Sequence, residues 1–292
     1  MNEWAAIAAS IASATGRPFE LARQIPASGG YINQTLRIEG KDGRQFFLKL
    51  NEVMNYPLLL SEVAGLRAIS ETRTLRVPGV ITHGKNHLHS FLVLEYLELQ
   101  SHGNARALGE QLASMHRHTS PRFGFAHDNH IGATVQPNAW MDDWVAFLRE
   151  RRLGFQLRLA RQNNLGLQDI GERLLEALPL FFAGYAPSAS LLHGDLWGGN
   201  HAYLPDGTPV IFDPAVYFGD RECDLAMTEL FGGFSADFHA AYRASFPLDA
   251  GYAARRDLYN LYHILNHANM FGGSYVYQSA QMMKRLLASI GS

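Results

Sequence analysis

The spacing of hydrophobic and polar residues along the chain changes near residue 100. Before that point, apolar residues occur in the short strand-like runs YINQTLRIEG, RQFFLKL, VPGVITHG and HLHSFLVLEYL. The sequence KDGR at 41–44 separates the first two runs and is typical of a hairpin turn. Two helices are predicted among the strands, one ending at Gly16 and one beginning near Pro57, because apolar residues recur there at helical spacing.

After SHGN at 101–104 the periodicity is mostly helical. Helices are predicted over ARALGEQLASMHRH, NAWMDDWVAFLRERRLGFQLRLARQ and DIGERLLEALPLFFAGY, then a short loop-and-strand block at 190–213, then helices to the end. The pattern predicts an α+β fold with two lobes. Residues 1–97 would form a small sheet-rich lobe and residues 98–292 a larger, mainly helical one.

Composition limits the possible functions. The chain has 292 residues, 47% of them hydrophobic, and its 25 basic and 27 acidic residues give a formal charge of −2, which provides no general attraction for nucleic acid or anionic membranes. Cys223 is the single cysteine, so an internal disulfide and a thiol-rich metal site are excluded. There is no apolar run of about 18 residues and no signal-peptide pattern at the start. We therefore expect a cytoplasmic protein without nucleic-acid or membrane partners.

The segment LLHGDLWGGN at 191–200 places His193, Asp195 and Asn200 in a loop with little other side-chain bulk. A hairpin is predicted just after it, with Asp206 and Gly207 as a two-residue turn. In that register Asn200 faces Asp213 at the far end of the hairpin, where an amide oxygen and a carboxylate could share Mg²⁺. A different turn type would shift the register by one residue.

The loop HGDLWGGN fits the kinase pattern H-x-D-L-x-x-x-N followed by a metal-binding aspartate. In that pattern Asp195 would orient the attacking hydroxyl and accept its proton, and Asn200 and Asp213 would be metal ligands. His193 would orient the loop through hydrogen bonds. The alternative is that Asp195 and Asn200 are ordinary turn residues and Asp213 is an acid at a strand end.

The first lobe contains candidate partners for a nucleotide. Lys49 is a lone cation in the apolar run FFLKL, and Glu62 on the following predicted helix could pair with it, as in the kinase clamp on the α and β phosphates. The alternative for Lys49 is an edge-strand lysine facing water. Gly29 and Gly30 lie where a phosphate-covering loop would be, although the full G-x-G-x-x-G pattern is missing and both could be turn glycines.

The run FLVLEYLEL closes the predicted small lobe. In kinases, such a strand leads into a hinge whose backbone binds adenine, and Glu95, Tyr96 and Leu97 would supply that hinge here. An apolar strand that belongs only to the core is the alternative.

Several segments together resemble the fructosamine kinase family, also called ketosamine 3-kinases, within the aminoglycoside and choline kinase-like branch of the protein kinase-like fold. The resemblance covers nearly the whole chain and rests on LARQIPASGGYINQTLRI, FLKLN, SEVAGLRAI, FLVLEYLEL, LGEQLASMHRHT, FGFAHDNHIGATVQPNAWMDDWVAFLRERRL, LLHGDLWGGN and FDPAVYFGDRECDLAMTELFGGF. It implies ATP-dependent, Mg²⁺-dependent phosphorylation of the sugar O3 of a ketoamine on a lysine amine. Spontaneous elimination of the 3-phosphate then frees the amine, and ribulosamine or erythrulosamine would be preferred over fructosamine.

The resemblance also implies individual roles. Asp195 would be the base and Asn200 and Asp213 the Mg²⁺ ligands, while Asp224 would support the catalytic loop. From its position between Asp195 and Asn200, Trp197 could form a wall of the acceptor site, and packing within the loop is the alternative. The resemblance makes Lys49 and Glu62 the phosphate clamp. The other nucleotide-binding candidates rest on the kinase pattern described above, and they are Gly29, Gly30, Glu95, Tyr96 and Leu97. The partners would be glycated lysines or small ketosamines, and no stable protein partner is evident. Asp213-Pro214-Ala215 replaces the D-F-G of protein kinases, so activation-loop switching is not expected.

Two other functions remain open at the level of sequence. Another small-molecule kinase, acting on an aminoglycoside, choline or an amino sugar, would share the phosphoryl-transfer residues and differ in the acceptor pocket. A non-catalytic nucleotide-binding module is the third possibility. The presence of Lys49, Asp195, Asn200 and Asp213 together argues against it.

Overall fold

In the computed structural model, residues 3–27 and 33–291 are described. The chain folds as two compact units. The first comprises residues 1–104 and 202–213, and the second comprises residues 105–201 and 214–292. The division expected from the sequence, at residues 97 and 98, differs from this one in segments 98–104 and 202–213.

The first unit is built on a five-stranded antiparallel sheet in the order β1-β2-β3-β5-β4. Its elements are α1 (Glu3–Thr15), β1 (Leu21–Pro26), β2 (Gln34–Gly40), β3 (Gln45–Glu52), α2 (Tyr56–Thr72), β4 (Val80–Lys85) and β5 (His89–Glu95). The predicted turn at 41–44 is confirmed, since Gly40 N–H donates to the Arg44 carbonyl at 2.8 Å. The predicted helix near Pro57 is confirmed as α2.

The core of this unit lies between α1 and the sheet. Ile7 and Ile11 of α1 are buried against the central strands, where they meet Ile38, Leu48 and Val93. The alternating pattern of β2 and β3 puts these apolar side chains on one face of the sheet. The packing fixes the positions of β3 and β5, the two strands that carry Lys49 and Glu95.

The second unit is mainly helical. Its helices are α3 (Ala105–Met115), α4 (Trp144–Phe147), α5 (Gly154–Gln162), α6 (Gln168–Ala177), α7 (Glu222–Leu230), α8 (Ala236–Ser245), α9 (Tyr252–Phe271) and α10 (Ser274–Ser289), with a π-helix at Leu148–Leu153. Its short strands are β6 (Thr119–Ser120), β7 (Asn129–Ile131), β8 (Thr134–Gln136), β9 (Ala189–Leu192) and β12 (Tyr217–Gly219). Strands β12, β9 and β6 form one antiparallel sheet and β7 and β8 another. The periodicity predicted the long helices and missed β6, β7, β8 and β12.

Helices α3 and α8 approach each other closely at Gly109. A Cβ atom on Gly109 would lie 2.4 Å from the Phe238 carbonyl oxygen of α8, so a side chain at this position would push the helices apart. The contact matters for function because His116 directly follows α3 and Tyr242 lies on α8, and the two side chains are hydrogen-bonded.

The hairpin formed by β10 (His201–Tyr203) and β11 (Pro209–Ile211) has a different turn from the predicted one. Gly207 N–H donates to the Leu204 carbonyl at 2.8 Å and Leu204 N–H donates to the Thr208 carbonyl at 2.9 Å, while Gly207 has φ +84°. This is a type I turn with Pro205 in its second position, followed by a left-handed glycine. The predicted register is therefore wrong by one residue. The observed register does not place Asn200 opposite Asp213 in the hairpin.

Within the described residues, no helix combines the length and apolar character needed to cross a membrane.

Candidate active site

A buried ion-pair cluster joins three of the predicted residues in the first unit. Lys49 Nζ donates to Glu62 Oε1 at 2.8 Å and Oε2 at 2.9 Å, and it also donates to Asp213 Oδ1. Lys49 is 5% exposed and lies on β3, which has β2 on one side and β5 on the other. The alternative of an edge-strand lysine facing water is therefore wrong.

The charge of Lys49 is stabilised by its two acidic partners. Burial lowers the pKa of Lys49, but the contacts with Asp213 and Glu62 outweigh burial and hold that pKa above its ordinary value. The ammonium is therefore fully protonated at neutral pH. A buried cation held between two carboxylates is suited to bind the oxygens of a polyphosphate.

Asp213 follows β11 and has an unusual backbone conformation. Its φ of +57° places it in the left-handed region, where a residue with a side chain is uncommon and aspartate is among the better tolerated. Pro214 comes next and restricts this backbone further. The conformation gives the Asp213 carboxylate a defined direction at the end of the hairpin, with Lys49 as one partner.

A pocket of about 130 Å³ opens beside this cluster within the first unit. Two of its lining residues, Lys49 and Asp213, belong to the ion-pair cluster. Six of the others are apolar, namely Phe47, Pro78, Leu94, Leu97, Leu99 and Phe212, and the remaining two are Thr35 and Glu95. An apolar slot with charged groups at one end matches a planar base attached to phosphates.

The predicted hinge residues differ in their environments. Glu95 and Leu97 line the pocket, but Tyr96 turns toward Arg37, which lies 5.4 Å from its ring centre. The Glu95 carboxylate is bound by Arg76 at 2.5 Å and by Gly79 N–H at 3.1 Å. Gly29 and Gly30 lie outside the described residues.

The loop His193–Asn200 in the second unit follows β9. Asp224, in the first turn of α7, accepts hydrogen bonds from the backbone N–H groups of His193 at 2.7 Å and Gly194 at 2.8 Å. His116 contacts Asp224 through Nε2 at 3.1 Å and Tyr242 through Nδ1 at 2.8 Å. The helix α7 thus holds the start of the loop, which is the supporting role that the resemblance implied for Asp224.

The pKa values of His116 and Asp224 are both shifted downward. Burial lowers the pKa of His116, so its ring is neutral and donates Nε2–H to Asp224. Burial alone would raise the pKa of Asp224, but His116, His193 and the Gly194 N–H group stabilise its carboxylate and hold that pKa below its ordinary value. Sequence reasoning gave His116 no functional role, since a histidine at helical spacing with Leu112 and Met115 resembles any core residue.

Asp195 and Asn200 are in direct contact. Asn200 Nδ2 donates to the Asp195 backbone carbonyl at 2.8 Å and to its carboxylate Oδ2 at 3.2 Å. The Asp195 N–H group donates to His193 Nδ1 at 3.2 Å, which agrees with the orienting role predicted for His193. Because both hydrogen bonds of Asn200 use its nitrogen, its Oδ1 is the atom suited to a hard cation.

Glycines allow the tight path of this loop. Gly194 has φ +82°, and a Cβ atom there would lie 2.1 Å from the Ala215 carbonyl oxygen. A Cβ atom on Gly199 would lie 2.3 Å from the indole of Trp197, which is 40% exposed. The Trp197 ring therefore lies against Gly199 and is partly exposed to solvent, two residues after Asp195 in sequence.

Sequence reasoning missed an exposed aromatic group in the second unit. Phe231 and Phe271 are 44% and 61% exposed, and His267 lies between them with ring centres 5.5 and 5.7 Å away. Phe231 precedes Gly232 and Gly233, which pack against Gly198 of the loop His193–Asn200. The signal in the sequence was the segment LFGGF, whose apolar residues flank two glycines.

Comparison with known proteins shows which family the chain resembles. A model of the fructosamine kinase family matches residues 3–289. A probable ketoamine kinase of Synechocystis is 46% identical over 288 residues, covering 97% of this chain and 97% of the relative. A chloroplastic protein-ribulosamine 3-kinase of Arabidopsis thaliana is 40% identical over 266 residues, covering 89% of this chain and 81% of the relative.

Solved structures share the fold. The crystal structure of a candidate fructosamine-3-kinase from Haemophilus somnus has a TM-score of 0.90 to this chain at 28% identity, and the match covers 97% of both chains. An amicoumacin kinase solved with AMP-PNP has a TM-score of 0.62 at 14% identity, covers 99% of this chain and 94% of its own, and shows likeness of fold alone. The predicted α+β, protein kinase-like fold is confirmed.

Proposed function

Because the chain belongs to the fructosamine kinase family and is a phosphotransferase that acts on sugar hydroxyl groups, we propose that it is an ATP-dependent ketosamine 3-kinase. The acceptors are ribulosamine, erythrulosamine or fructosamine adducts of lysine amines, free or in proteins. The observation that carries the proposal is the catalytic loop, in which Asn200 fixes Asp195 and Asp224 fixes the backbone before it, with Trp197 exposed alongside.

Binding of ATP is assigned to the first unit. The apolar walls, including Phe47, Leu94 and Leu97, accept the adenine ring, and Lys49 contacts the phosphates while Glu62 keeps its ammonium in place. Two oxygen groups fit Mg²⁺, the Asp213 carboxylate and Asn200 Oδ1, because this ion prefers hard oxygen ligands. When bound, Mg²⁺ neutralises charge on the phosphates.

Proton transfer is assigned to Asp195. Its carboxylate accepts the proton of the sugar 3-hydroxyl as that oxygen attacks the γ-phosphorus and the bond to the β-phosphate oxygen breaks. The hydrogen bond from Asn200 to Oδ2 holds the carboxylate in one orientation. Trp197 contacts the sugar or its amine with the exposed face of its ring.

The product explains a repair function. A ketosamine 3-phosphate eliminates its phosphate spontaneously and releases the amine, so phosphorylation removes the sugar from lysine. The acceptor is a modified lysine, and we place this deglycation in the cytoplasm, where the lone buried Cys223 is compatible with reducing conditions.

An acceptor screen tests the proposal. ATP consumption is measured with ribulosyl-lysine, erythrulosyl-lysine, fructosyl-lysine, an aminoglycoside and choline, each with and without Mg²⁺. We expect turnover with the ketosamines and the highest kcat/KM for the ribulosyl or erythrulosyl adduct. Turnover restricted to the aminoglycoside or choline would assign a different small-molecule kinase. ATP binding without turnover on any acceptor would indicate the non-catalytic module.

A further inference from the structure

A cluster of buried side-chain amides lies in the second unit, outside the residues assigned to the reaction. Asn129, Gln136 and Asn138 are each at most 3% exposed, and they come from the segment DNHIGATVQPN at 128–138. Asn129 Oδ1 accepts hydrogen bonds from Gln136 Nε2 and Asn138 Nδ2, both at 2.8 Å. The three amides therefore fix one another's orientation.

The cluster holds the backbone that directly follows Asp213 and Pro214. Gln136 Nε2 donates to the Ala215 carbonyl at 3.0 Å and Asn129 Nδ2 donates to the Val216 carbonyl at 2.7 Å. Both contacts are made from β7 and β8, so the small two-stranded sheet acts as a rigid support for residues 215 and 216.

Ala215 is also tied to the catalytic loop. Its N–H group donates to the His193 carbonyl at 2.8 Å, and its carbonyl oxygen lies against Gly194, where a Cβ atom would be 2.1 Å away. The peptide groups of Ala215 are thus bound on one side by the first residues of the loop and on the other by Gln136. A shift of Gln136 would be transmitted through Ala215 to the residue two positions before Asp195.

Two buried residues, Arg152 and Tyr262, also bind the cluster of amides. Arg152, 1% exposed, donates to Asn138 Oδ1 at 2.7 Å and to the Pro137 carbonyl at 2.6 Å, and its guanidinium lies 3.9 Å from the centre of the Tyr217 ring. Tyr262 donates its hydroxyl to Gln136 Oε1 at 2.8 Å. Burying an arginine on carbonyl, amide and ring partners costs solvation energy, so the arrangement needs a benefit beyond apolar packing.

We propose that Gln136 and Asn129 are positioning residues for phosphoryl transfer, which hold Ala215 and Val216 against the catalytic loop and thereby keep Asp195 in its productive place. The inference rests on the proposed kinase function. The proposed role differs from a purely structural one because of where the two amides bind. They contact residues 215 and 216, and Ala215 is hydrogen-bonded to the loop His193–Asn200.

A matched pair of variants tests the proposal. Gln136→Met removes the two hydrogen bonds that Gln136 donates, at nearly constant side-chain length. Gln156→Met is the control at another fully buried glutamine, and it removes the hydrogen bond donated to Asn266 and the one accepted from Asn269. Gln156 also contacts the Tyr262 hydroxyl, but its described hydrogen bonds do not include residue 215 or 216. We expect Gln136→Met to lower kcat by about 10–10²-fold with little change in the ATP KM, since small misplacements of reacting groups carry costs of that order. Gln156→Met should keep kcat within about threefold at an equal loss of melting temperature.

Hydrogen exchange gives a second readout that does not need activity. The Ala215 amide should exchange faster in Gln136→Met and at the wild-type rate in Gln156→Met. If Gln136→Met does not fold, Asn129→Asp replaces it, because this change exchanges the amide group that donates to the Val216 carbonyl for a carboxylate oxygen that repels it, and keeps Oδ1 as the acceptor for Gln136 and Asn138. Equal kcat in the two methionine variants, or unchanged exchange at Ala215, would overturn the proposal. An inactive wild type would instead contradict the kinase function, and the exchange comparison would still decide the role of the amides.

Discussion

Lys49 donates hydrogen bonds to both carboxylate oxygens of Glu62, at 2.8 and 2.9 Å, in a buried part of the first unit. The pair is 13 residues apart in sequence, one member on a central strand and the other on the following helix. A buried cation with this partner does not contribute much stability relative to an apolar pair. We therefore expect the pair to serve in binding, where Glu62 fixes the Lys49 ammonium and the ammonium contacts phosphate oxygens.

The first prediction concerns Lys49 and ATP. Lys49→Met should lower kcat/KM for ATP by about 10–100-fold, since a hydrogen bond to a charged group is worth about 1.5–3 kcal/mol. Lys41→Met is the control, because Lys41 is an exposed lysine of the same unit paired with Glu20. Steady-state kinetics with varied ATP measures both variants, and an unaffected kcat/KM in Lys49→Met would contradict the clamp.

The second prediction concerns the base. Asp195→Asn should fold and bind ATP normally but lose kcat by about 10²–10⁴-fold, the usual contribution of a positioned proton acceptor. The amide keeps the shape of the side chain and can still contact Asn200. Rapid-quench measurement of phosphoryl transfer, alongside calorimetry of ATP binding, checks both halves. Near-normal turnover would show that Asp195 is not the base.

The third prediction separates Asp213 from Asp195. Asp213→Ala should weaken nucleotide binding in the presence of Mg²⁺ by more than about tenfold, since loss of groups that merely orient metal ligands already costs 10–100-fold in affinity. Binding without Mg²⁺ should change less. Calorimetry under both conditions measures the difference, and an equal loss with and without Mg²⁺ would argue against a ligand role for Asp213.

The fourth prediction concerns the acceptor. Trp197→Ala should raise the ketosamine KM and leave the ATP KM unchanged, with a loss of about 1–3 kcal/mol in kcat/KM for the acceptor. Because the indole is partly exposed, its removal should cost little packing in the core. A change in the ketosamine KM would therefore report a lost substrate contact. Kinetics with ribulosyl-lysine, run beside a melting curve, distinguishes a substrate contact from loop packing. A large fall in melting temperature with parallel losses for both substrates would favour packing.

The fifth prediction concerns the dependence of stability on pH. Burial lowers the pKa of His263 from 6.5 to about 3, so between these values the unfolded chain binds a proton that the folded chain does not. Stability therefore falls as the pH drops below 6.5, by about 1.4 kcal/mol per pH unit from this residue.

His263→Gln should remove that part of the slope. Urea denaturation at pH 7, 6 and 5 measures it, and the same substitution at the exposed His118 is the control within the second unit. Identical slopes for wild type and His263→Gln would contradict the neutral, buried state of this histidine.

Local patterns in the sequence were sufficient for much of the fold and part of the site. The strand containing Lys49 and the helix containing Glu62 followed from periodicity, and a cation in an apolar run required an acidic partner. The loop His193–Asn200 was recognisable because its residue types and spacing depend on the chemistry of phosphoryl transfer and little on the rest of the chain. These features are determined within a few residues.

Other features were not predicted, either because two local conformations fit the sequence or because the feature depends on distant contacts. The hairpin register failed because Pro205 and Gly207 fit two turn types, and the choice between them shifts each pairing by one residue. The π-helix at Leu148–Leu153 ends where the Gly154 N–H group reaches the Arg149 carbonyl, a detail that helical periodicity does not encode. The roles of Asn129 and Gln136 required knowing that Ala215 lies beside them.

The position of the new phosphate ester decides whether the protein is a ketosamine 3-kinase. Ribulosyl-lysine is incubated with ATP, Mg²⁺ and the wild-type protein, and the product is followed by phosphorus and proton NMR. The account predicts a new phosphate ester on the sugar O3, formed in proportion to ADP, followed by the appearance of inorganic phosphate and free lysine. A phosphate ester at another hydroxyl, or consumption of ATP without any ester on the ketosamine, would contradict it.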